Sequence, residues 1–325
     1  MTEQTTTVEA APKRRILLLD ILRGTALIAM ASYHFLWDLG DFGYLDPSYP
    51  ATGWPKIYAR CIASTFLFLA GLSMVLGHEQ GFRARAYLIR LGKIVAAAAL
   101  VSLASALAMP QGLIFFGILH AIAAMSVIGL LALRLPAWFN VILAALAFLA
   151  PRYFASESFN TPWLWWVGLS TETRLSFDYV PILPWLCPFL LGMALGQSST
   201  ATAALRHFAQ GISGKNPVSR LLVFFGRHSL TLYLVHQPVL IALLWMFSQI
   251  VPAPQADPVA SYLESCVAGC SKEQDKALCR VFCQCTLEEL QAQNLFSAFQ
   301  SGAISAEHDE RIKAIAVQCS VPALE

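Results

Sequence analysis

Residues 15–39 read RILLLDILRGTALIAMASYHFLWDL. The stretch is apolar enough to enter a bilayer, yet it carries Asp20, Arg23, His34 and Asp38. At about 100° per residue, with His34 as zero, Arg23 falls near about −20° and Asp20 and Asp38 both near about +40°. The four ionisable groups form one stripe, roughly 60° wide, along a single helix. A charge buried in a membrane helix costs about 3 kcal/mol or more, so such groups face a bundle interior or a water-filled cavity. This helix organises the chain.

The rest of the composition agrees with a polytopic membrane protein. Of 325 residues, 57% are hydrophobic and only 13% charged, against about 25% charged in soluble domains. Residues 1–261 hold 17 Lys+Arg and 11 Asp+Glu, a net +6, whereas residues 262–325 hold 5 and 9, a net −4. Six of the eight cysteines also lie in that last stretch. Two regions in different solvents are implied. The overall charge of +2 gives no reason to expect a nucleic-acid partner, and no nucleotide-binding glycine loop stands out.

Hydropathy predicts an all-α bundle of about seven spans, at 16–39, 57–78, 91–109, 113–133, 136–151, 179–197 and 221–250. Residues 1–15 read as a cytoplasmic segment, 16–250 as the membrane domain, and 251–325 as a linker with a small Cys-rich helical extension. The polar first dozen residues, followed by Lys13-Arg14-Arg15, read as a cytoplasmic start and a retained first helix rather than a cleaved signal. With the N-terminus inside, cytoplasmic segments carry 12 of the loop Lys and Arg residues, and external ones carry only Lys56, Arg60, Arg152 and Arg174. That bias fits the positive-inside rule, and seven spans then put the C-terminus outside.

The tail supports an oxidising exterior independently. Its cysteines read Cys266-x3-Cys270-x8-Cys279-x3-Cys283-x-Cys285, then Cys319. Cysteines four apart share a helix face, so two facing helices are stapled by Cys266–Cys283 and Cys270–Cys279, leaving Cys285 for Cys319. A zinc site is the rival reading, and it requires the tail inside and an even number of spans. Asp257 before Pro258 reads as an N-cap with proline at the first helical position. Ser271/Gln274 and Thr286/Glu289 read as capping boxes, with Ser305 capping a last helix.

Several residues are placed to do chemistry. His34 accepts a proton from a hydroxyl or amine at neutral pH. Asp38, one turn on, is placed to orient the imidazole. Arg23 lies 11 residues earlier, about 16 Å deeper, and its fork of donors suits phosphate. The bland alternative is an i,i+3 ion pair between Asp20 and Arg23 with His34 as a packing residue, and for Asp20 that is the reading adopted. His120 opens the fourth span at a depth similar to that of His34. In the last span Ser229, Tyr233 and His236 fall within roughly 80° of one another, and Pro238 frees a backbone carbonyl nearby. Asp178, before Pro181 and Pro184, either binds a substrate amine or hydroxyl or caps the sixth span. Gly71, Gly192 and Gly196 allow close helix packing, and Trp163, Trp165 and Trp166 suit a membrane interface. No tight His/Asp spacing argues for a metal.

Leu19-Asp20-Ile21-Leu22-Arg23-Gly24 followed by Tyr33-His34 resembles the first-helix signature of bacterial relatives of heparan-α-glucosaminide N-acetyltransferase. The Arg-x10-His spacing is also similar to the motif of the acyltransferase-three membrane family. Further matches are Phe66 to Gly71, Gly117 to His120, Asp178 to Trp185, and Gly226 to Pro238. The resemblance covers about residues 13–250 and leaves out the cysteine tail. It implies a bacterial inner-membrane enzyme that passes an acyl group, commonly acetyl, from acetyl-CoA to a sugar or glycan across the bilayer. Acyl-CoA is then a co-substrate, with no tightly bound cofactor. The acyltransferase-three spacing makes His34 the matching histidine, and Arg23 the basic residue near the acyl-CoA phosphates. His120, Asp178 and His236 stand in a second rank. The alternatives are a transporter or flippase of a polar lipid or glycan, and a non-catalytic scaffold whose tail binds an external protein.

The topology has a direct test. After reduction, a membrane-impermeant thiol reagent added to intact spheroplasts labels the tail cysteines. Labelling that appears only after lysis sinks the external placement.

Overall fold

The computed structural model describes residues 16–79, 81–109, 112–172, 176–212, 216–254, 257–271, 274–301, 303–305 and 309–320. Among these, regular structure is helical throughout and no residue lies in a strand. The chain divides into a unit ending at Ile250 and a second unit from Val251.

The first unit contains α1 (Leu17–Asp41), α2 (Gly53–His78), α3 (Ala84–Ala108), α4 (Ile118–Ala132), α5 (Ala137–Phe154), α6 (Ile182–Gln197), α7 (Ser199–Gln210), α8 (Pro217–Arg227) and α9 (Ser229–Ile250). Each of the seven apolar stretches contains a helix. By length and composition, α2, α3, α5 and α9 can cross a membrane, and a fifth span is formed if α6 and α7 count as one segment bent by 86°. The protein is an integral membrane protein. The count of four or five is lower than the seven read from hydropathy, for identifiable reasons. α1 has the length, at 25 residues, but carries the polar stripe. α4 and α6 have only 15 and 16 residues, because 113–117 and 179–181 are loop rather than helix.

The predicted span 221–250 is two helices. α8 begins with Pro217 at its first position and the Asn216 side chain accepting from Val218 N at 3.0 Å. His228 steps out of helical geometry and α9 begins at Ser229. Hydropathy averaged over the whole stretch conceals the break, since α8 is amphipathic and packs one face on α1.

Close packing between backbones sets the bundle. A Cβ at Gly71 would collide with the Phe189 carbonyl oxygen, and one at Gly192 with that of Phe68, so α2 and α6 approach through reciprocal glycines. α1 and α8 do the same, with Gly24 on the Leu222 carbonyl and Gly226 on the Asp20 carbonyl. In a bilayer such proximity replaces the hydrophobic effect as the source of helix association. Phe189, Leu67, Met125 and Met193 fill the space around the first contact and are fully buried. Where α4 ends, the Ala132 carbonyl accepts from Leu135 N in the following turn (3.2 Å), and Asn140 Nδ2 (3.1 Å) and Gln197 Nε2 (3.1 Å) both donate to it as well.

The second unit holds α10 (Pro258–Cys270), α11 (Lys276–Ala292), α12 (Phe296–Gln300) and α13 (Glu310–Ser320). Its disulfides join Cys266 to Cys283 and Cys270 to Cys279, the pairs that four-residue spacing sets across from one another, and Cys285 to Cys319, the pair that remains. Leu290, Leu295, Ile312 and Ile315 form a small core beside Cys319. Asp257 caps α10 as expected, accepting from Val259 N at 3.0 Å. The other caps differ. Asp275, not Ser271, caps α11, since its carboxylate reaches Ala277 N at 2.8 Å while Ser271 ends the previous helix. Thr286 sits inside α11, buried, and accepts from the Tyr262 hydroxyl at 2.8 Å. Asp309 rather than Ser305 caps α13, accepting from Arg311 N at 3.0 Å. The Arg311 guanidinium bound to it holds that carboxyl down at about 2.

The backbone contact predicts a contrast between two glycines. Gly192→Leu lowers stability by about 2 kcal/mol or more. Gly77→Ala, where nothing lies within 4 Å of the new methyl, is neutral or gains about 0.5 kcal/mol. Thermal melts in detergent measure both, and equal losses would reject the close α2–α6 contact.

Candidate functional site

α1 carries functional groups at both ends because its polar positions share one face. At one end Arg23 Nη1 donates to Asp20 Oδ1 at 3.2 Å, and the same guanidinium donates to the Ser73 hydroxyl of α2. Asp20 is 1% exposed, and its second oxygen lies 3.8 Å from Arg227 Nε of α8. One buried carboxylate thus faces two guanidiniums, which matches the ion-pair reading of Asp20.

Two cavities meet here. One, of about 520 Å³, is lined by Arg23, Arg90, Lys93, Arg227 and Tyr233 among apolar neighbours. The other, of about 750 Å³, shares Arg23 and Arg90 and adds Asp20, Ser73 and Arg206. Arg206 is held by both oxygens of Glu79 at 2.7 Å. Arg90 and Lys93 come from α3, where an i,i+3 spacing puts them on one face. Sequence reading used them only for orientation. Two cations one turn apart on an apolar helix were the signal available. The chamber has more cations than carboxylates and suits an anion with several phosphate oxygens.

At the other end of α1, the His34 ring lies 5.0 Å from the His236 ring of α9. His236 Nδ1 is 2.6 Å from the Tyr233 carbonyl oxygen. Asp38, 2% exposed, accepts from Gln237 Nε2 at 2.6 Å. This corrects the expected Asp38–His34 pairing: the imidazole turns to the neighbouring helix, and the carboxylate one turn along bonds to Gln237. Asp38 Oδ2, Gln237 Oε1 and His236 Nε2 are buried without a hydrogen-bond partner among the described residues. Gln237 lies within the stretch Gly226 to Pro238 and was given no role from the sequence.

Asp178 and Tyr233 lie between the two ends. Asp178 Oδ2 accepts from Ile118 N at 2.8 Å, so it caps α4, 60 residues earlier, and not α6, which starts after Pro181. Gly117 presses on this carboxylate with no room for a side chain. The Tyr233 hydroxyl reaches the same oxygen at 3.5 Å. Tyr233 therefore touches the cation-lined cavity, Asp178 and the His236 ring, 5.6 Å away. His120 stands apart from the histidine pair. Its Nδ1 accepts from Gly117 N at 3.2 Å and its Nε2 meets the Ser102 hydroxyl at 3.2 Å, so it closes the first turn of α4. Among the described residues no group of three His, Cys, Asp or Glu side chains could hold a metal.

Residues 15–238 match the model of a family described as heparan-alpha-glucosaminide N-acetyltransferase, catalytic, and the chain belongs to that family. The matched range includes both ends of the α1 site and stops short of the cysteine tail. No curated protein and no solved structure matches the chain.

The cap on α4 predicts how Asp178 variants behave. Asp178→Ala lowers stability by about 1–2 kcal/mol, whereas Asp178→Asn, whose amide oxygen still accepts from Ile118 N, loses less than about half of that. Melting temperatures in detergent separate the two. Equal losses would mean that the negative charge, not the cap, is what α4 requires.

Proposed function

We propose, from this family membership and the geometry of α1, that the protein moves an acyl group, acetyl foremost, from acyl-CoA to a hydroxyl or amine of a sugar or glycan. The donor is taken at the Arg23 end and the acceptor at the His34 end. The observation that carries the proposal is the polarity of one helix. Cations surround a two-part cavity at one end, two histidines face each other at the other end, and Tyr233 borders both. The 11 residues from Arg23 to His34 span about 16 Å, which puts the two tasks at different depths in the membrane.

In this reading the CoA phosphates lie against Arg23, Arg90, Lys93 and Arg227. Guanidinium forks bind phosphate oxygens in pairs, and Asp20 keeps two of those forks in place without neutralising the chamber. The apolar part of the cavity, with Phe66, Ile118 and Leu230, takes the arm that carries the thioester toward Tyr233. The histidine pair then removes the proton from the attacking hydroxyl or amine, and burial excludes water that would hydrolyse the thioester. The excess of loop cations on one side supports a cytoplasmic Arg23 end, where acyl-CoA is found, and an external glycan acceptor. The lipid bilayer is then part of the mechanism, because it separates donor from acceptor. Such a protein belongs in a bacterial inner membrane, with its tail outside and free to meet a protein partner.

Purified protein in proteoliposomes, given labelled acetyl-CoA and cell-envelope glycans, transfers label to glycan. His34→Ala lowers the rate at least about a hundredfold. Arg90→Ala raises the KM for acetyl-CoA about tenfold with little change in kcat, the loss of one charge-assisted hydrogen bond. Wild-type protein that moves glycan across the bilayer with no acyl-CoA present would replace this function with transport.

A further inference from the structure

The histidine pair is not symmetrical, and the difference lies in hydrogen bonds to the backbone. A carbonyl oxygen only accepts, so the 2.6 Å contact from His236 Nδ1 to the Tyr233 carbonyl requires a hydrogen on Nδ1. Neutral His236 then has its lone pair on Nε2, and that atom is buried without a partner. His34 has no hydrogen bond among the described residues, and nothing in the backbone selects its tautomer. A histidine held by one nitrogen presents the other as a base of defined direction.

The same α1–α9 contact leaves two more atoms unpaired, Asp38 Oδ2 and Gln237 Oε1. The 2.6 Å bond from Gln237 Nε2 to Asp38 Oδ1 fixes both side chains. All three unpaired atoms are therefore acceptors: a carboxylate oxygen, an amide oxygen and an imidazole lone pair. Leaving a buried acceptor unmade is unfavourable. Three on facing turns of two helices describe a place for a group rich in N–H or O–H hydrogens.

We propose that Asp38, His236 and Gln237 form the acceptor subsite, and that His236 Nε2 takes the proton of the attacking group. The inference rests on the acyl-transfer reading and assigns a base within it. Oxygen or nitrogen of the acceptor attacks the thioester carbonyl carbon, and its proton passes to His236 Nε2. The new C–O or C–N bond forms, the C–S bond breaks, and its electron pair leaves on sulfur. Return of the proton from His236 to that thiolate yields free CoA thiol and neutral imidazole. Asp38 and Gln237 bind neighbouring hydrogens of the acceptor. His34 packs against the imidazole, ring to ring at 5.0 Å, and helps to hold its position.

Full-length protein labelled with 15N-histidine, in lipid nanodiscs, tests the tautomer without any substrate. His236→Gln identifies the signal by its loss. The expected spectrum has a protonated Nδ1 and a lone-pair Nε2 for His236, and a protonated Nε2 overturns the assignment. In the proteoliposome assay His236→Gln, which keeps a polar side chain of similar reach but no basic nitrogen, lowers kcat at least about a hundredfold with an unchanged KM for acetyl-CoA. Gln237→Leu raises the KM for the glycan and leaves that for acetyl-CoA alone. Full activity in His236→Gln while His34→Ala is inactive rejects His236 as the base. A wild type that transfers no acyl group rejects the donor reading instead, and the nitrogen spectrum then decides on the subsite by itself.

Discussion

A carboxylate that is 1% exposed inside an apolar helix has to be compensated, and Asp20 is compensated from two directions. Arg23 answers it from its own helix at 3.2 Å and Arg227 from α8 at 3.8 Å. The backbone contact at the same level depends on Gly226, which lies on the Asp20 carbonyl, and on Gly24, which lies on that of Leu222. Charge and close approach thus dock α8 on α1. α9 follows α8 after a single residue, His228, so this docking constrains where His236 and Gln237 fall. A direct α1–α9 contact, Asp38 with Gln237, holds the opposite end. Arginine suits the first position better than lysine because its fork divides its donors between the buried carboxylate, Ser73 and the cavity.

The stripe on α1 was legible because it depends only on helical period, which any sequence exposes. The same is true of the pairs Cys266–Cys283 and Cys270–Cys279, while Gly71 and Gly192 were legible as small residues within apolar spans. What could not be read is which helix faces which. Asp38 looked like a partner for His34 because the two are one turn apart, but Gln237 is 199 residues away and reaches it first. Asp178 read as either a substrate-binding carboxylate or a cap for the helix that follows it, and its cap falls on α4 instead. Arg90 and Lys93 entered only as loop charges, although they line the same cavity as Arg23. Local signals failed where a competitor stood nearby, as with Asp275, which lies four residues past Ser271 and caps α11 in its place.

The two units are built on different physics. In the first, helices associate through small residues, buried polar pairs and dense side-chain packing. In the second, a few apolar residues form a core too small to suffice alone, and three disulfides spanning 17, 9 and 34 residues limit the unfolded chain. Such stapling is useful only where thiols stay oxidised. The family match ends at residue 238, before this unit begins.

Buried polar atoms serve two ends in this protein, and their hydrogen bonds tell the ends apart. Around Ala132, Asn140 and Gln197 donate to a carbonyl in the last turn of α4, and among the described residues there a single buried atom, Asn140 Oδ1, stays unpaired. One such atom is ordinary in a folded protein. Where α1 meets α9, the buried atoms left unpaired among the described residues are three acceptors, on residues fixed by other bonds. Packing alone would favour apolar side chains there, because each unmade bond costs free energy and none of the three supports a helix end. Acceptors left unpaired beside such bonds are what the proposed acceptor subsite requires before its ligand arrives. The site is therefore better described by what it lacks, hydrogens to accept, than by the two histidines that first drew notice to it.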